Sequence, residues 1–178
     1  MKIEIVRLGR MAYPEALDIQ EKLLARRQAG LIGDTLLLVE HPPVLTIGRR
    51  GSDANIRVPR EQLAARGVSV YPVNRGGDVT YHGPGQVVGY PIVDLEATER
   101  DLHRYLRMLE KVLLDTVACF AVNARTVEGR TGIWAGEKKL ASIGVGVRRW
   151  VSWHGFALNV GDDLCGFETI GTGLPLIR

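Results

Sequence analysis

Residues 75–91 read RGGDVTYHGPGQVVGYP, and the rest of the chain is best interpreted outward from this stretch. Five of its residues are glycines, which admit positive φ and let a ligand come close to the main chain. The Gly76-Gly77 pair can therefore turn the chain and expose its N–H groups at the same time. The same stretch carries a cation, a carboxylate and an imidazole, on Arg75, Asp78 and His82.

A short strand is expected to leave this loop, because apolar Val79 and Tyr81 alternate with polar neighbours. The glycine-proline-glycine break at 83–85 ends that strand, and residues 86–95 are predicted to form a second, largely buried strand. The sequence thus predicts a glycine-lined loop and strand whose polar groups share one cavity. The alternative is a glycine-rich hairpin with its polar side chains in solvent.

The remaining pattern predicts strands and helices with many adjacent hairpins. Helices are expected at 14–28 and 59–66, and a third, long helix is expected to begin at a Thr98 cap, with Cys119 buried near its apolar stripe. We therefore predict a single domain over residues 1–178, an α/β or α+β fold of mixed β-sheets with flanking helices. Further strands are expected at 2–8, 35–40, 44–47, 68–73, 121–127, 132–135, 139–147 and 151–160.

The composition is that of a globular protein, since 46% of the 178 residues are hydrophobic and 24% are charged. No apolar run is long enough to cross a bilayer and the N-terminus MKIEIVRLGR lacks a signal-peptide core, so we expect a cytoplasmic protein without a membrane partner. The net charge of +3 fits acidic protein partners or simple solubility. Basic residues are scattered and are not interleaved with aromatic ones, which disfavours nucleic acid as a partner.

Cysteine and histidine usage indicates neither cross-links nor metal. The two cysteines, Cys119 and Cys165, do not make a disulfide framework. No Cys/His spacing typical of metal ligands is present in the sequence. We therefore predict no structural or catalytic metal.

A lysine in the strand expected at 139–147 is the candidate catalytic group. By alternation Lys139 shares a face with Ala141 and Ile143, while Lys138 falls on the opposite face, so one of the two lysines should point to the core side. A buried lysine is costly unless it meets an anion, and an inward lysine therefore usually marks a site. The alternative is that both ammonium groups extend to solvent.

The stretch RGGDVTYHGPGQ, residues 75–86, resembles the signature of the octanoyltransferases of lipoate biosynthesis, also called lipoyl(octanoyl) transferases. A second block, GIWAGEKKLASIGVGVRRWVSWHGFALNV at residues 132–160, resembles the other half of that family's active site. The agreement extends from about residue 36 to residue 167, most of the chain. The resemblance implies the biotin/lipoate protein ligase fold.

The resemblance also implies the reaction, which is acyl transfer in two steps. An octanoyl group leaves the thiol of octanoyl acyl carrier protein for an enzyme cysteine, and a lysine amine of a lipoyl domain then attacks that thioester. The acceptors would be the lipoyl domains of 2-oxoacid dehydrogenase complexes and the glycine cleavage H protein. The resemblance implies no ATP, no metal and no other cofactor, because the thioester is already activated.

Residues of both blocks receive roles from the resemblance. Lys139 matches a lysine that lies beside the family's cysteine nucleophile and lowers the pKa of its thiol, since a nearby ammonium stabilises a thiolate. His154 and Asn159 receive no role. The residues expected to bind substrate are Arg75, Gly76, Gly77, Asp78, Val79, Thr80, Tyr81, His82, Ser142, Ile143, Gly144, Gly155, Phe156 and Ala157.

The sequence departs from the family pattern where the nucleophile is expected. The pattern there is close to F-x-x-I-x-P-C-G, whereas this chain reads FETIGTGL at 167–174 and has Thr172-Gly173 in the region of the cysteine. The family's further C-terminal segment is also missing after Arg178, so we expect a truncated or frameshifted reading frame. Cys165 lies up to about 20 Å from Thr172 along an extended chain, which disfavours it as nucleophile. Acylation of the threonine itself would require a neutral lysine as base.

Two other functions remain open. An ATP-dependent lipoate or biotin protein ligase would need a nucleotide-binding loop of its own pattern, whereas RGGDVTYHGPGQ matches the transferase version. A non-catalytic protein that binds octanoyl groups or lipoyl domains is supported by the absent cysteine. Formation of an adenylate would identify a ligase, and turnover would separate the transferase from the binding protein.

Overall fold

The computed structural model describes residues 2–161 and 165–171. No helix in these residues combines the length and the apolar character that a membrane span requires. The helices are α1 (Tyr13–Gln28), α2 (Arg60–Ala65) and α3 (Leu102–Ala118). The strands are β1 (Ile3–Arg10), β2 (Asp34–Glu40), β3 (Val44–Ile47), β4 (Ser69–Pro72), β5 (Val79–His82), β6 (Gln86–Ile92), β7 (Ile133–Ala135), β8 (Lys138–Arg148) and β9 (Val151–Asn159).

The strands form two mixed sheets. The six-stranded sheet has the order β1-β2-β6-β9-β8-β7, in which β1 and β2 run parallel and the other neighbours antiparallel. The three-stranded sheet has the order β4-β3-β5, with β3 parallel to β4 and antiparallel to β5. The predicted fold class of mixed sheets with flanking helices is therefore confirmed.

Helices α1 and α3 cover opposite faces of the six-stranded sheet. Ala157 of β9 packs in the core cluster that contains Tyr13 and Ala16 of α1. The next residue, Leu158, packs in the cluster that contains Leu113 of α3. Since successive side chains of a strand point to opposite faces, the two clusters lie on the two sides of the sheet.

A separate core cluster lies beneath the three-stranded sheet. Leu45 of β3 and Tyr81 of β5 pack there with Leu63 of α2. Phe167 and Ile170, from the short chain segment at the end of the described residues, complete the cluster. This packing holds residues 165–171 beside β5, although they lie far away in sequence.

The beginning of α3 differs from the prediction. Asp101, and not Thr98, is the N-cap: its carboxylate accepts hydrogen bonds from the N–H groups of His103 (2.8 Å) and Arg104 (3.1 Å). Thr98 ends a separate 3-10 helix, where its hydroxyl donates to the carbonyl of Leu95 (2.7 Å). The predicted Thr98 cap is therefore wrong by one turn.

Two expectations for the chain after α3 are also wrong. The helix ends at Ala118 and Ala121 adopts a φ of 59°, which turns the backbone out of both helical and extended conformations. No strand forms over residues 121–127, and pairing there is confined to one bridge between Arg125 and Trp134. Cys119, the C-cap residue after Ala118, is exposed and is not buried near the apolar stripe of the helix.

Candidate active site

A cavity of about 210 Å³ opens between the two sheets. Its walls come from β5, β6, β8 and β9, from the loop at residues 75–78 (the 75–78 loop) and from the start of α1. Both sequence blocks that resemble the transferase site therefore border one space. The predicted site residues that line it are Arg75, Gly76, Gly77, Asp78, Val79, Thr80, His82, Lys139, Ser142, Ile143, Gly144, Gly155, Phe156 and Ala157.

Tyr81 was predicted with these residues, but it lies in the core and is not among the residues that line the cavity. Its side chain is only 5% exposed, and its ring meets Phe167 edge-on with the ring centroids 5.4 Å apart. The alternation along β5 turns this ring towards the core of the small sheet, away from the side that His82 occupies. Tyr81 therefore packs in the core beneath the small sheet and stabilises the strand that carries the site residues.

Arg75 fastens the 75–78 loop to the small sheet. Its side chain is buried, and one guanidinium nitrogen donates to both the carbonyl (2.7 Å) and the hydroxyl (2.9 Å) of Thr46 on β3. A second nitrogen donates to the carbonyl of Gly76 (3.0 Å). The planar, forked guanidinium group of arginine suits this set of acceptors and thereby orders the loop. Its positive charge also lies at the cavity.

The 75–78 loop also lies directly on β8 of the large sheet. The N–H of Gly76 donates to the carbonyl of Val145 (2.8 Å). A Cβ at Gly144 would lie 3.0 Å from the carbonyl oxygen of Gly76 and 3.2 Å from Cδ of Arg75, so a larger residue at this position would have to displace the 75–78 loop slightly. Gly77, with a φ of 90°, turns the chain away again towards β5.

Lys139 enters the cavity from β8. Its neighbour Lys138 is exposed, whereas Lys139 is half-buried with its Nζ 5.1 Å from the centroid of the Trp134 ring. Burial lowers the pKa of Lys139 and Arg130 lowers it further, while the carboxylate of Glu110 opposes both effects. An ammonium in this position can stabilise a thiolate or an oxyanion.

A chain of hydrogen bonds connects His82 with the backbone of Lys139. His82 Nδ1 lies 3.2 Å from Gln86 Oε1, and Gln86 Nε2 donates to Asn159 Oδ1 (3.0 Å). Asn159 Nδ2 in turn donates to the carbonyl oxygen of Lys139 (3.3 Å). Since the side chains of His82, Gln86 and Asn159 are all buried, the chain is shielded from water.

Aromatic and imidazole rings pack around His82. His41 Nδ1 lies 2.8 Å from the carbonyl oxygen of Met11, and its Nε2 lies 2.7 Å from the hydroxyl of Tyr90. Tyr13 stacks on His82 with the ring centroids 6.4 Å apart. Burial lowers the pKa of His82 to about 3, lowers the pKa of His41, and raises the pKa of Tyr13 to about 12. His82 and Tyr13 are therefore uncharged at neutral pH, and burial favours the neutral form of His41.

His154 lines the cavity, although sequence patterns indicated no role for it. Its side chain is 2% exposed, and neither ring nitrogen has a hydrogen-bond partner among the described residues. A φ of 52° in the middle of β9 brings its ring onto that of Trp153, with the centroids 4.2 Å apart. Neighbours on a regular strand point to opposite faces, whereas the rings of Trp153 and His154 stack on each other. The strained backbone at His154 therefore determines where its imidazole lies.

Other residues of the cavity come from outside both blocks. Val88 and Tyr90 continue the alternation that starts at Gln86, so the predicted strand could have placed them on one face. No local pattern marks Tyr13 or Asn55, because tertiary packing brings them to the site. The cavity residues that the sequence interpretation missed are Tyr13, Asn55, Val88, Tyr90, His154, Phe167, Ile170 and Gly171.

The two cysteines are not among the residues that line the cavity. Cys119 is exposed after α3, and Cys165 is exposed at the start of the 3-10 helix Cys165–Thr169. The described chain does reach the cavity at Ile170 and Gly171. The predicted replacement of the nucleophile at Thr172-Gly173 lies outside the described residues. In the part of the chain that is described, no three His, Cys, Asp or Glu side chains group as metal ligands.

Comparison with known proteins assigns the family. The model of the lipoyl protein ligase A/B catalytic domain matches residues 12–174. An octanoyltransferase of Geobacter sulfurreducens is 57% identical over 170 residues, which cover 94% of this chain and 68% of that protein. An octanoyltransferase of Geobacter metallireducens is 56% identical over 163 residues, which cover 92% of this chain and 73% of that protein.

Solved structures with this fold are more distant in sequence. Lipoate-protein ligase A bound with ATP has a TM-score of 0.77 at 17% identity, over 96% of this chain and 71% of that chain. The bipartite lipoate protein ligase of Thermoplasma acidophilum, studied with its E2 lipoyl domain, has a TM-score of 0.71 at 17% identity, over 96% and 66%. These two likenesses concern the fold alone. The family match and the high identity to curated relatives together confirm the resemblance: the chain belongs to the lipoyl protein ligase A/B catalytic domain family and, within it, to the octanoyltransferases.

Proposed function

We propose that this chain transfers an octanoyl group from the thiol of acyl carrier protein to a lysine amine of a lipoyl domain. One observation carries the proposal: the 75–78 loop and Lys139 line the same cavity beside apolar strand residues. The acceptors are lipoyl domains such as those of 2-oxoacid dehydrogenase complexes and the glycine cleavage H protein. A net charge of +3 favours encounter with acidic partners.

The cavity offers different surfaces to the two ends of an acyl thioester. Val88, Ile143 and Ala157 provide apolar contact for a hydrocarbon chain. Lys139 provides positive charge for the thioester oxygen and the departing sulfur, both of which become more negative during transfer. Such charge stabilisation is stronger in a cavity with little water than in bulk solvent.

The proposed transfer is balanced without oxidant or nucleotide. A nucleophile of the enzyme attacks the thioester carbonyl, the bond between the acyl group and the carrier sulfur breaks, and the carrier sulfur leaves as a thiol with the proton that the nucleophile gives up. The lysine amine then attacks the acyl-enzyme, an amide bond forms, and the proton of the amine passes to the departing nucleophile. A thioester and an amine thereby become an amide and a thiol.

Intact-mass spectrometry after incubation with octanoyl acyl carrier protein is the first test. We expect an octanoyl adduct, and peptide mapping then identifies the acylated residue, with Cys165 and Thr172 as the positions to inspect. A lipoyl domain should remove the adduct and gain the octanoyl group on its lysine, while a domain without that lysine should not.

The alternative mechanisms give different masses in the same experiment. An octanoylated lipoyl domain without an enzyme adduct indicates direct attack of the amine on the carrier thioester. If neither the enzyme nor the domain gains an octanoyl group, the transferase proposal is wrong, and retention of octanoyl acyl carrier protein would then favour a binding function.

Replacing Lys139 tests the charged group itself. Lys139→Met removes the ammonium but keeps an unbranched side chain, and we expect octanoyl transfer to fall by about a hundredfold or more. Lys138→Met is the matched control, because Lys138 is the exposed neighbour on the same strand. Steady-state rates of lipoyl-domain octanoylation measure both variants. Equal losses in the two would show that the position of the charge in the cavity is unimportant.

A further inference from the structure

The hydrogen bonds between His82 and Lys139 determine which nitrogen of His82 carries the proton. The carbonyl oxygen of Lys139 can only accept, so Asn159 must direct Nδ2 towards it. Asn159 Oδ1 then faces Gln86 and accepts from Gln86 Nε2. This leaves Gln86 Oε1 facing His82 Nδ1, and because that oxygen also only accepts, Nδ1 must be protonated.

His82 Nε2 is consequently a bare acceptor at the cavity. His82 lines the cavity, and no residue in the described ranges makes a hydrogen bond with this nitrogen. His41 shows the opposite situation: its Nδ1 donates to the Met11 carbonyl, so its Nε2 accepts from the Tyr90 hydroxyl. Both nitrogens of His41 are therefore used within the protein, whereas His82 keeps one for a ligand.

The charged groups of the cavity are donors or already have partners. The carboxylate of Asp78 accepts from the N–H of Val79 (2.7 Å) and from Nδ2 of Asn55 (2.6 Å). Arg75 and Lys139 carry N–H groups only. His154 also lines the cavity, but both of its ring nitrogens are buried and no hydrogen bond within the described part of the chain fixes its tautomer. A substrate that enters as a hydrogen-bond donor, as a primary amine does, therefore finds at His82 a nitrogen acceptor whose tautomer is already set.

We propose that His82 Nε2 accepts a hydrogen bond from the amine of the incoming acceptor lysine, and that Gln86 and Asn159 are positioning residues that hold His82 in the required tautomer. This inference rests on the proposed function. An amine attacks a carbonyl carbon with its lone pair, so the lone pair must face that carbon. A hydrogen-bond acceptor that binds an N–H group of the amine, away from the carbonyl, fixes this orientation. His82 orients the amine in this way and does not take its proton.

The tautomer can be measured without catalysis. With four histidines in the chain, long-range 1H–15N correlation spectra of histidine-labelled protein are tractable, and His82→Gln assigns the signal. We expect His82 to be protonated at Nδ1 at neutral pH. Protonation at Nε2 would overturn the inference.

Binding of the amine is read from the same resonance. Adding a lipoyl domain should shift the Nε2 signal upfield, as expected for a nitrogen that accepts a hydrogen bond, and a domain with its target lysine replaced by methionine should not do so. Identical spectra with both domains would overturn the role of His82 even if transfer occurs. A lysine-dependent shift without any octanoyl transfer would instead overturn the proposed function and leave the amine contact standing.

Gln86→Glu tests the positioning role through pH. A carboxylate cannot donate to Asn159, and its negative charge raises the pKa of His82, so Nε2 gains a proton and becomes a donor at low pH. We expect the transfer rate to fall about tenfold or more at neutral pH and to recover as pH rises through the new pKa of His82. The KM for octanoyl acyl carrier protein should change little.

Gln86→Met is the matched control, because it breaks the same hydrogen bonds without adding charge. It should lower the rate without the new pH dependence, and parallel pH profiles for the two variants would contradict the inference. Burial lowers the pKa of Lys139, but this lysine is present in both variants. Its titration therefore contributes equally to both pH profiles. The same holds for the ionisable groups that surround His82, namely Tyr13 of α1, His41 after β2, Arg75 before β5 and His154 of β9.

Discussion

His82 and His154 are imidazoles that the folded protein keeps neutral. Burial lowers the pKa of each to about 3, and the positive charge of Arg75 contributes in both cases. A histidine in the unfolded chain titrates near its ordinary pKa of about 6.5. Between these two values the unfolded state binds more protons than the folded state. The free energy of unfolding should therefore increase as the pH rises from about 3 to about 6.5, and decrease progressively on acidification through the same range.

A substitution at His154 tests this pH dependence. His154→Phe keeps an aromatic ring against Trp153 but removes one titrating group, so the free energy of unfolding should depend less steeply on pH between about 4 and 6.5. The slope should decrease by up to about 1.4 kcal/mol per pH unit. Urea titrations at several pH values give the slope of the free energy of unfolding against pH. This slope does not depend on any change in stability that the substitution itself causes at neutral pH. His103→Gln, at an exposed histidine of α3, is the matched control, and an unchanged slope in His154→Phe would contradict the assignment.

Helix α3 shows why the start of an element can be misassigned by one turn. Thr98 and Asp101 are both good N-cap residues, and their spacing of three suggested a capping box. The chain between them contains Glu99 and Arg100 with φ of 56° and 57°, which no continuous right-handed helix can include. The helix therefore starts afresh at Asp101.

The cap of α3 should be measurable in the stability of the protein. Asp101→Ala removes the acceptor for the N–H groups of His103 and Arg104, so we expect the free energy of unfolding to fall by about 0.5–2 kcal/mol. Asp101→Asn is an equally good cap and should remain close to the wild type. Chemical denaturation measures both, and equal stability of all three proteins would show that Asp101 does not cap the helix.

The cavity depends on how the two sheets are joined. Arg75 binds Thr46 of the small sheet, and its neighbour Gly76 binds Val145 of the large sheet. The 75–78 loop thus connects both sheets at the position where the cavity opens. An altered side chain at this junction should affect stability and substrate binding together.

Arg75→Lys separates the geometry of the arginine from its charge. Lysine keeps the positive charge but cannot make the forked contact with Thr46, so we expect a loss of about 1.5–3 kcal/mol in the free energy of unfolding. The KM for octanoyl acyl carrier protein should rise, and the amide of Gly76 should exchange its hydrogen faster. Arg66→Lys, at an exposed position after α2, should change none of these quantities. Wild-type amide exchange at Gly76 in Arg75→Lys would contradict the role of the junction.

Local patterns in the sequence were sufficient for most elements and for two walls of the site. The strand predicted at residues 44–47 matches β3, and strand β1 and helix α1 were also located. The glycine-rich 75–78 loop and Lys139 could be identified because close backbone approach and a lysine on a core-facing strand position leave a signature in adjacent residues. The family and its chemistry followed from the same two blocks.

Only the tertiary structure decided the rest of the site. Tyr13 reaches the cavity because α1 packs on the large sheet, and the position of the His154 ring depends on one positive φ. The tautomer of His82 depends on Gln86 and Asn159, which lie on neighbouring strands of the large sheet. Protonation and orientation are determined by burial and by hydrogen-bond partners that are distant in sequence, and no local pattern contains that information.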